Sequence, residues 1–168
     1  MDGPLGWFAS AGVSDPATQG WTSVNISGDD TGGNVTVPPA LVGTEYFGIA
    51  IPATVWISSN GAITWDESGV TKNPIGGGDF KVDGADQTFW LSLWSQDTAL
   101  LNVYRKELPS GAFIIRGEFK VPYNGSAGLP VEITFKPGGS IRVAYGTNTG
   151  AAFNVSPTHQ GVWLGDIL

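Results

Sequence analysis

Apolar and polar residues alternate strictly along several segments of this chain. Between residues 130 and 137 every second side chain is apolar: Val131, Ile133 and Phe135 alternate with Glu132, Thr134 and Lys136. Because successive side chains of a strand point to opposite faces, this pattern predicts a strand with one buried and one solvated face. A glycine-rich turn at 137–140 and a second alternation over 141–145 complete a predicted hairpin. Residues 113–121 repeat the pattern and predict a further strand.

An Asn-Gly dipeptide marks a second hairpin. In the segment 54–65, apolar residues lead into Asn60 and Gly61 and then resume after them. This dipeptide suits the positive φ angles of a tight turn between two antiparallel strands. We therefore predict a strand pair joined at these two residues, with Trp56 and Trp65 in or near the core.

The segment 88–94 is apolar on both faces. Phe89, Leu91 and Leu93 alternate with Trp90 and Trp94. A strand of this kind is either central, with a second layer over it, or part of a contact between chains. The two tryptophans are our first candidates for a contact surface, and burial beneath a second layer is the equal alternative.

The remaining signals predict an all-β fold. Further strands are expected at 21–26, 34–37, 45–51 and 100–104, and no segment shows a sustained helical period. Roughly eight to ten short strands separated by turn signals indicate an antiparallel β-sandwich, with a jelly-roll arrangement as one topology. We predict one sandwich domain over residues 21–168, preceded by an N-terminal arm over residues 1–20.

Composition and charge narrow the classes of function. The 168 residues fit one domain, and 41% apolar residues with 25 glycines fit a turn-rich folded protein. The net charge of -7 disfavours nucleic acid and anionic lipid as partners. No apolar run reaches the length of a membrane span, so no membrane is expected. The chain has no cysteine, which excludes disulfides and thiolate chemistry.

Candidate catalytic groups are sparse. His159 is the only histidine, and its neighbours predict a loop in which a solvated side chain is favoured over a catalytic base. A paired-carboxylate mechanism would draw on Asp97, Glu118 and Glu132. The two glutamates alternate with apolar neighbours, as ordinary solvent-facing residues do. We therefore predict that the protein is not an enzyme and needs no cofactor.

Two acidic loops are weak candidates for calcium. Asp29 and Asp30 lie in one loop, and Asp79 and Asp83 lie in the other. Calcium prefers carboxylate and carbonyl oxygens on flexible loops, but neither loop has the spacing of a known calcium loop. Acidic turn residues that serve solubility and Asx-type turns are the favoured interpretation.

Several weak motifs follow one another in a recognisable order. They comprise a strand pair, a tryptophan and a closing hairpin: Val55, Ile57, Ser58, Ser59, Asn60, Gly61, Ile63 and Trp65, then Trp94, then Ile133, Phe135, Gly139, Ile141, Val143, Tyr145 and Gly146. In this order the chain resembles the nidogen-like β-sandwich modules of extracellular and bacterial surface proteins. The resemblance covers most of the chain from about residue 21 onward. It implies a non-enzymatic adhesion or assembly module and no particular ligand.

Apolar residues also occur near both ends of the chain. Trp7 and Phe8, with Trp163 and Leu164, are predicted to dock as arms on neighbouring subunits. With the resemblance, they predict a virion surface protein, such as a bacteriophage capsid decoration (cement) protein. It would form a homo-oligomer, with a trimer as one arrangement, and bind a capsid or other virion protein. The alternative is a secreted or cell-surface adhesion module that binds a glycan or protein through an exposed aromatic strip or through its loops.

Overall fold

The described part of the chain consists of strands and turns. A computed structural model describes residues 8–9, 20–65, 89–93, 98–120, 128–146 and 161–164, with residues 8–9, 89–90, 92 and 161–164 described by their strand pairing. The strands in these ranges are β1 (Phe8–Ala9), β2 (Thr22–Ser23), β3 (Gly32–Thr36), β4 (Glu45–Tyr46), β5 (Ile49–Ala50), β6 (Thr54–Ser58), β7 (Ala62–Thr64), β8 (Phe89–Ser92), β9 (Ala99–Glu107), β10 (Phe113–Lys120), β11 (Gly128–Phe135), β12 (Ile141–Tyr145) and β13 (Gly161–Leu164). No helix occurs among the described residues, and the all-β prediction is confirmed.

Two sheets form the layers of the sandwich. Sheet A has six strands in the order β1-β12-β11-β10-β9-β2, and sheet B has five in the order β13-β8-β7-β6-β3. The neighbouring strands pair antiparallel, except that β1 runs parallel to β12. Strands β4 and β5 form a separate two-stranded hairpin. The antiparallel prediction is confirmed for these sheets, and the jelly-roll connectivity stays a prediction.

The hydrophobic core lies between sheets A and B. Sheet A contributes fully buried side chains from its three central strands: Val103, Phe113, Ile115, Phe119, Val131, Ile133 and Phe135. Sheet B contributes Val35, Val55, Ile57, Ile63 and Leu91 to the same cluster. Every second residue of β10 and β11 is therefore buried, as the alternation predicted, but Arg116, expected on the solvated face of β10, is buried as well. Leu91 and Leu93, which share one face of the segment 88–94, are both buried.

Hydrogen bonds join the two layers at both sides of the sandwich. On one side, the Arg105 guanidinium of β9 donates to the Thr36 carbonyl oxygen of edge strand β3 at 2.8 Å. On the other, the Tyr145 hydroxyl of β12 donates to the Leu93 carbonyl oxygen at 2.8 Å. Burial raises the pKa of Tyr145, so this donor keeps its proton well into the alkaline range. A polar contact therefore connects the two sheets at each side of the core.

The predicted hairpin between β6 and β7 is confirmed, but its turn differs from the expected one. Ser58 pairs with Ala62, so three residues form the loop, and of these Gly61 has a positive φ, of 79°. The turn is also buried, because Asn60 is 3% exposed and its Oδ1 accepts from the Thr98 backbone N–H at 3.2 Å. This turn therefore lies in the interior of the protein, and a hydrogen bond from a distant segment satisfies its side chain.

The predicted strand over 45–51 was wrong. The segment forms the hairpin β4–β5, which turns at Phe47 and Gly48. Both residues have positive φ angles, of 54° and 82°, which is the conformation of a two-residue hairpin turn. The strand predicted over 100–104 is longer than expected, and β9 spans nine residues, Ala99–Glu107.

Candidate functional site

The side of sheet A that faces away from the core carries most of the chain's positive charge. Along β9 to β12 many of the residues that alternate with core residues are polar or charged. The charged ones, together with Lys136 just after β11, form what we call the charged face: Lys106, Arg116, Glu118, Lys120, Glu132, Lys136 and Arg142. Five cations and two carboxylates give this face a formal charge of +3, in a chain whose net charge is -7.

Arg116 is the centre of the charged face. It lies directly opposite Glu132 on the neighbouring strand, and Glu118 is two residues farther along its own strand. The guanidinium group contacts Glu118 Oε1 at 3.0 Å and Glu132 Oε1 at 3.5 Å. The Arg116 side chain is 5% exposed and each glutamate side chain 24%, so solvent screens these ion pairs less than a surface pair. Both carboxylates therefore act as anchors for one arginine.

Trp21 packs at the edge of the charged face. It precedes β2, whose pairing with β9 brings it beside the central strands. Its ring centroid lies 5.6 Å from Lys106 Nζ and 5.9 Å from the Arg116 guanidinium carbon. These distances are within the range of cation–π attraction. The half-buried indole and the two cations form a mixed aromatic and cationic surface.

A groove of about 420 Å³ opens beside this cluster. Its middle is the register row of Ile114, Thr134 and Arg142, which crosses β10, β11 and β12. The lining consists of Leu108, Ser110, Ala112, Ile114, Glu132, Thr134, Lys136, Pro137 and Arg142. Apolar side chains, two hydroxyls, two cations and the Glu132 carboxylate, which is paired with Arg116, thus share one concave surface. Such a surface is suited to bind a ligand through apolar contact and positive charge together.

Tyr46 fixes the rim of the groove. Its side chain is fully buried, and its hydroxyl donates to the Lys136 carbonyl oxygen at 2.9 Å, where the β11–β12 turn begins. The ring packs edge-on against Phe135 and Trp65, with centroids 5.6 and 5.7 Å away. Gly139 in the same turn lies so close to the Glu45 carbonyl that an added Cβ would overlap it. Burial raises the pKa of Tyr46 to about 12, which preserves the donor at neutral pH.

The described acidic candidates for calcium form an exposed corner between the sheets. Asp29 and Asp30 follow Gly28, which pairs with Leu100 of β9, and they precede strand β3. Asp30 has a φ of 46°, and its backbone N–H donates to Asp29 Oδ1 at 3.0 Å. Among the described residues, no group of three or more acidic or histidine side chains is placed to hold a metal ion. Asp79 and Asp83 lie outside the described residues, as do Asp97 and His159.

One of the two tryptophans predicted to form a contact surface lies in the described sheet. Trp90 in β8 is in register with Thr64 of β7 on one side and with Trp163 of β13 on the other. Trp94 lies outside the described residues. The contact role of both residues stays a prediction.

The predicted assembly arms belong to edge strands where the structure describes them. Phe8 in β1 pairs with Ala144 of β12, and Leu164 in β13 pairs with Phe89 of β8. Trp7 lies outside the described residues. The docking of these arms on neighbouring subunits stays a prediction.

Sequence reasoning missed the groove and the aromatic part of the charged face. Trp21, Lys106, Arg116, Lys136 and Arg142 were not among the predicted site residues. One signal was present, because six of the eight basic residues fall between positions 105 and 142. Local charge density of this kind marks an interaction surface only when the strands that carry it share a face, and the strand register supplies that condition.

Comparison of the chain with protein-family models, with curated proteins and with solved structures finds no match. In the part of the chain that the structure describes, there is no helix of the length and apolarity that crossing a membrane requires. The functional assignment therefore depends on the geometry of the chain itself.

Proposed function

We propose that this chain is a non-enzymatic structural protein that attaches by one side to a larger protein assembly. The preferred setting is the surface of a virion, where a bacteriophage capsid decoration protein would oligomerise and bind the shell. The charged face is the described surface that would make the attachment. A second part of the proposal is that the terminal segments 1–20 and 161–168 contact neighbouring copies.

The observation that carries the proposal is the difference between the two outer sides of the sandwich. On sheet B, Ala62 and Thr64 alternate with core residues, yet they are 0% and 1% exposed. On sheet A, the corresponding side presents a groove, an indole and four cations around the buried Arg116. A protein that attaches to a surface through one side needs this kind of asymmetry, because only one side has to match the partner.

The mass of the protein in solution tests the assembly part of the proposal. We expect light scattering to give a homo-oligomer, and a variant lacking residues 1–20 to be a smaller species with unchanged circular dichroism. A monodisperse monomer whose first twenty residues are digested without loss of the folded core would contradict it. An antibody against the folded domain would be expected to label intact virus particles from the source, and labelling of cell surfaces instead would overturn the virion setting.

The groove favours a second candidate function. A concave surface with hydroxyl groups from Ser110 and Thr134 beside an apolar floor also suits an adhesion module that binds a glycan or a protein. In that case the protein would act at a cell surface or outside the cell. A glycan array read with the wild type, Trp21→Ala and Trp90→Ala separates the candidates. Specific glycan binding that a tryptophan variant abolishes would favour adhesion, and an array without signal would count against a glycan ligand.

A further inference from the structure

Charge is distributed unevenly between the charged face and the rest of the chain. Residues 105–142 contain six basic and three acidic side chains, a formal charge of +3, which leaves -10 for the remaining residues. Of these nine charged residues, Arg105 and Glu107 pair with each other at 3.4 Å at the side of the sandwich. The excess positive charge therefore lies on the charged face, where it favours a negatively charged partner.

Within the charged face, the groove is the place where a negatively charged partner would bind. Lys136 and Arg142 line it, and both residues are exposed. Ile114, Leu108 and Pro137 supply apolar lining, and the one acidic lining residue, Glu132, is already paired with Arg116. A ligand that uses the whole groove must offer negative charge to the cations and apolar surface to the floor. Polypeptides meet both requirements, because acidic and apolar side chains can alternate along one extended segment.

The net charge of the chain disfavours a long polyanion. The whole chain has a formal charge of -7, so it repels nucleic acid or a sulfated polysaccharide as a molecule. That repulsion grows with every additional phosphate or sulfate. A short acidic segment carries few charges and can place them against Lys136 and Arg142. The charge pattern therefore favours a short acidic ligand over a long one.

We propose that the groove between Leu108, Ile114, Lys136 and Arg142 binds a short acidic polypeptide segment of a partner protein. This inference rests on the proposed function and deepens it, because it names the chemistry of the partner. The cations bind the carboxylates of the segment, and its apolar side chains cover Ile114 and Pro137. The Tyr46 hydrogen bond to the Lys136 carbonyl holds the rim in place before the segment binds.

Fluorescence anisotropy with a labelled peptide tests the inference. The probe is a short fluorescein-labelled peptide that alternates glutamate with leucine, titrated with the full chain at low ionic strength. We expect the double variant Lys136→Gln with Arg142→Gln to bind about five- to tenfold more weakly, the size expected for two partly exposed charge pairs. The control Lys120→Gln lies on the same face outside the groove, and we expect a change of less than about twofold.

Three results would overturn the inference. The first is an absence of binding by the wild type, and the second is equal binding of a peptide with glutamine in place of glutamate. The third is tighter binding of heparin than of the acidic peptide, because it would indicate a polyanion site. Equal loss of peptide binding in the double variant and in Lys120→Gln would also contradict a groove site.

A second measurement separates this inference from the proposed function. Light scattering of the double variant is expected to give the same mass as the wild type, because no arm residue that the structure describes lines the groove. Loss of peptide binding with unchanged mass would support the groove site. If instead the double variant becomes monomeric, the groove binds a second copy of this chain, and the partner named here is wrong. A monomeric wild type that still binds the peptide would defeat the assembly proposal alone.

Discussion

In both sheets of the sandwich, core residues alternate with outward-facing residues, but the outward-facing residues of the two sheets differ in how far they are buried. On sheet B, Ser58, Ala62 and Thr64 alternate with core residues and are at most 2% exposed, whereas Trp56 in β6 is partly exposed. On sheet A, the outward residues include Glu118 and Lys120, and Thr134 lines an open groove. Small side chains allow a second layer to approach closely, whereas long charged ones keep the surface wet. The outward side of β7 is therefore covered, whereas the outward side of sheet A offers an open groove.

The largest expected difference between the two sides comes from replacing one threonine on each side with lysine. Thr64 and Thr134 both lie in central strands on the side away from the core, but Thr64 is 1% exposed and Thr134 is half-buried beside the groove. We expect Thr64→Lys to lower the free energy of unfolding by at least about 4 kcal/mol, because it buries a charge. We expect Thr134→Lys to change it by no more than about 0.5 kcal/mol.

Urea unfolding followed by tryptophan fluorescence measures both variants. If Thr64→Lys cannot be purified folded, Thr64→Val supplies the comparison, since it keeps the shape and removes only the hydroxyl. We expect Thr64→Val to stay folded with a loss of about 1 kcal/mol. Similar losses for the two lysine variants would show that the two sides do not differ.

The second prediction concerns the rim of the open side and its response to pH. The pKa of Tyr46 is about 12 in the folded state, above the ordinary value of 10.0, because the side chain is buried. The folded state thus retains a proton that the unfolded state loses, so this stabilisation is complete below pH 10 and decreases as the pH rises toward 12. By pH 12 the loss from this residue is about 2 kcal/mol.

Urea unfolding of the wild type and Tyr46→Phe across pH 8 to 12 measures this effect. The variant is expected to be about 1 kcal/mol less stable at neutral pH, because the hydrogen bond to Lys136 is lost. Its stability should then fall less steeply above pH 10. Tyr145 remains in both proteins and contributes equally. Parallel curves over the whole range would refute the assigned role of Tyr46.

The third prediction tests whether the open side has a fixed centre. Removing Arg116 leaves Glu118 and Glu132 close together without their shared cation. We expect Arg116→Ala to cost about 1 to 2 kcal/mol and Lys120→Ala to change stability by less than about 0.5 kcal/mol. Thermal unfolding of the two variants provides the measurement. Equal effects would mean that the charged face is uniformly solvated.

The smallest expected effect is at the side where the two sheets meet. Arg105→Gln removes the donor to the Thr36 carbonyl and the contact with Glu107, whereas Glu107→Gln removes the ion pair alone. The Arg105 side chain is 30% exposed, so we expect a loss of roughly 0.5 kcal/mol for the first variant and less for the second. Hydrogen exchange of the β3 amides should accelerate in Arg105→Gln only. Identical exchange in both variants would exclude the link between the sheets.

Much of the fold could be predicted because its signals are local. The alternation over 131–135 predicted a strand and the side that each residue occupies, and the three apolar residues are fully buried. The prediction for 45–51 was wrong because Phe47 adopts a positive φ, a conformation that a bulky residue rarely takes and that apolar pattern alone does not reveal. The Asn60 turn was predicted, but its burial depends on Thr98, which is distant in sequence.

The candidate site could be predicted only in part. Glu118 and Glu132 were correctly expected on the side away from the core, and the excess of basic residues between 105 and 142 was visible. Their contact with Arg116 depends on the register of β10 with β11. The position of Trp21 depends on the pairing of β2 with β9. These pairings join segments far apart in the chain, so no short motif reports them.

The order of residues identifies the strands and the face that each strand buries. Side chains in a strand alternate with a period of two, and apolar side chains are the ones that leave water. The amino-acid sequence therefore contains the all-β character, the Asn60–Gly61 hairpin and most of the core. Which outward residues are covered, and which charges meet around Arg116, were decided only when distant strands came together. Burial and ion pairing depend on neighbours in space, and those neighbours are chosen by the packing of the whole chain.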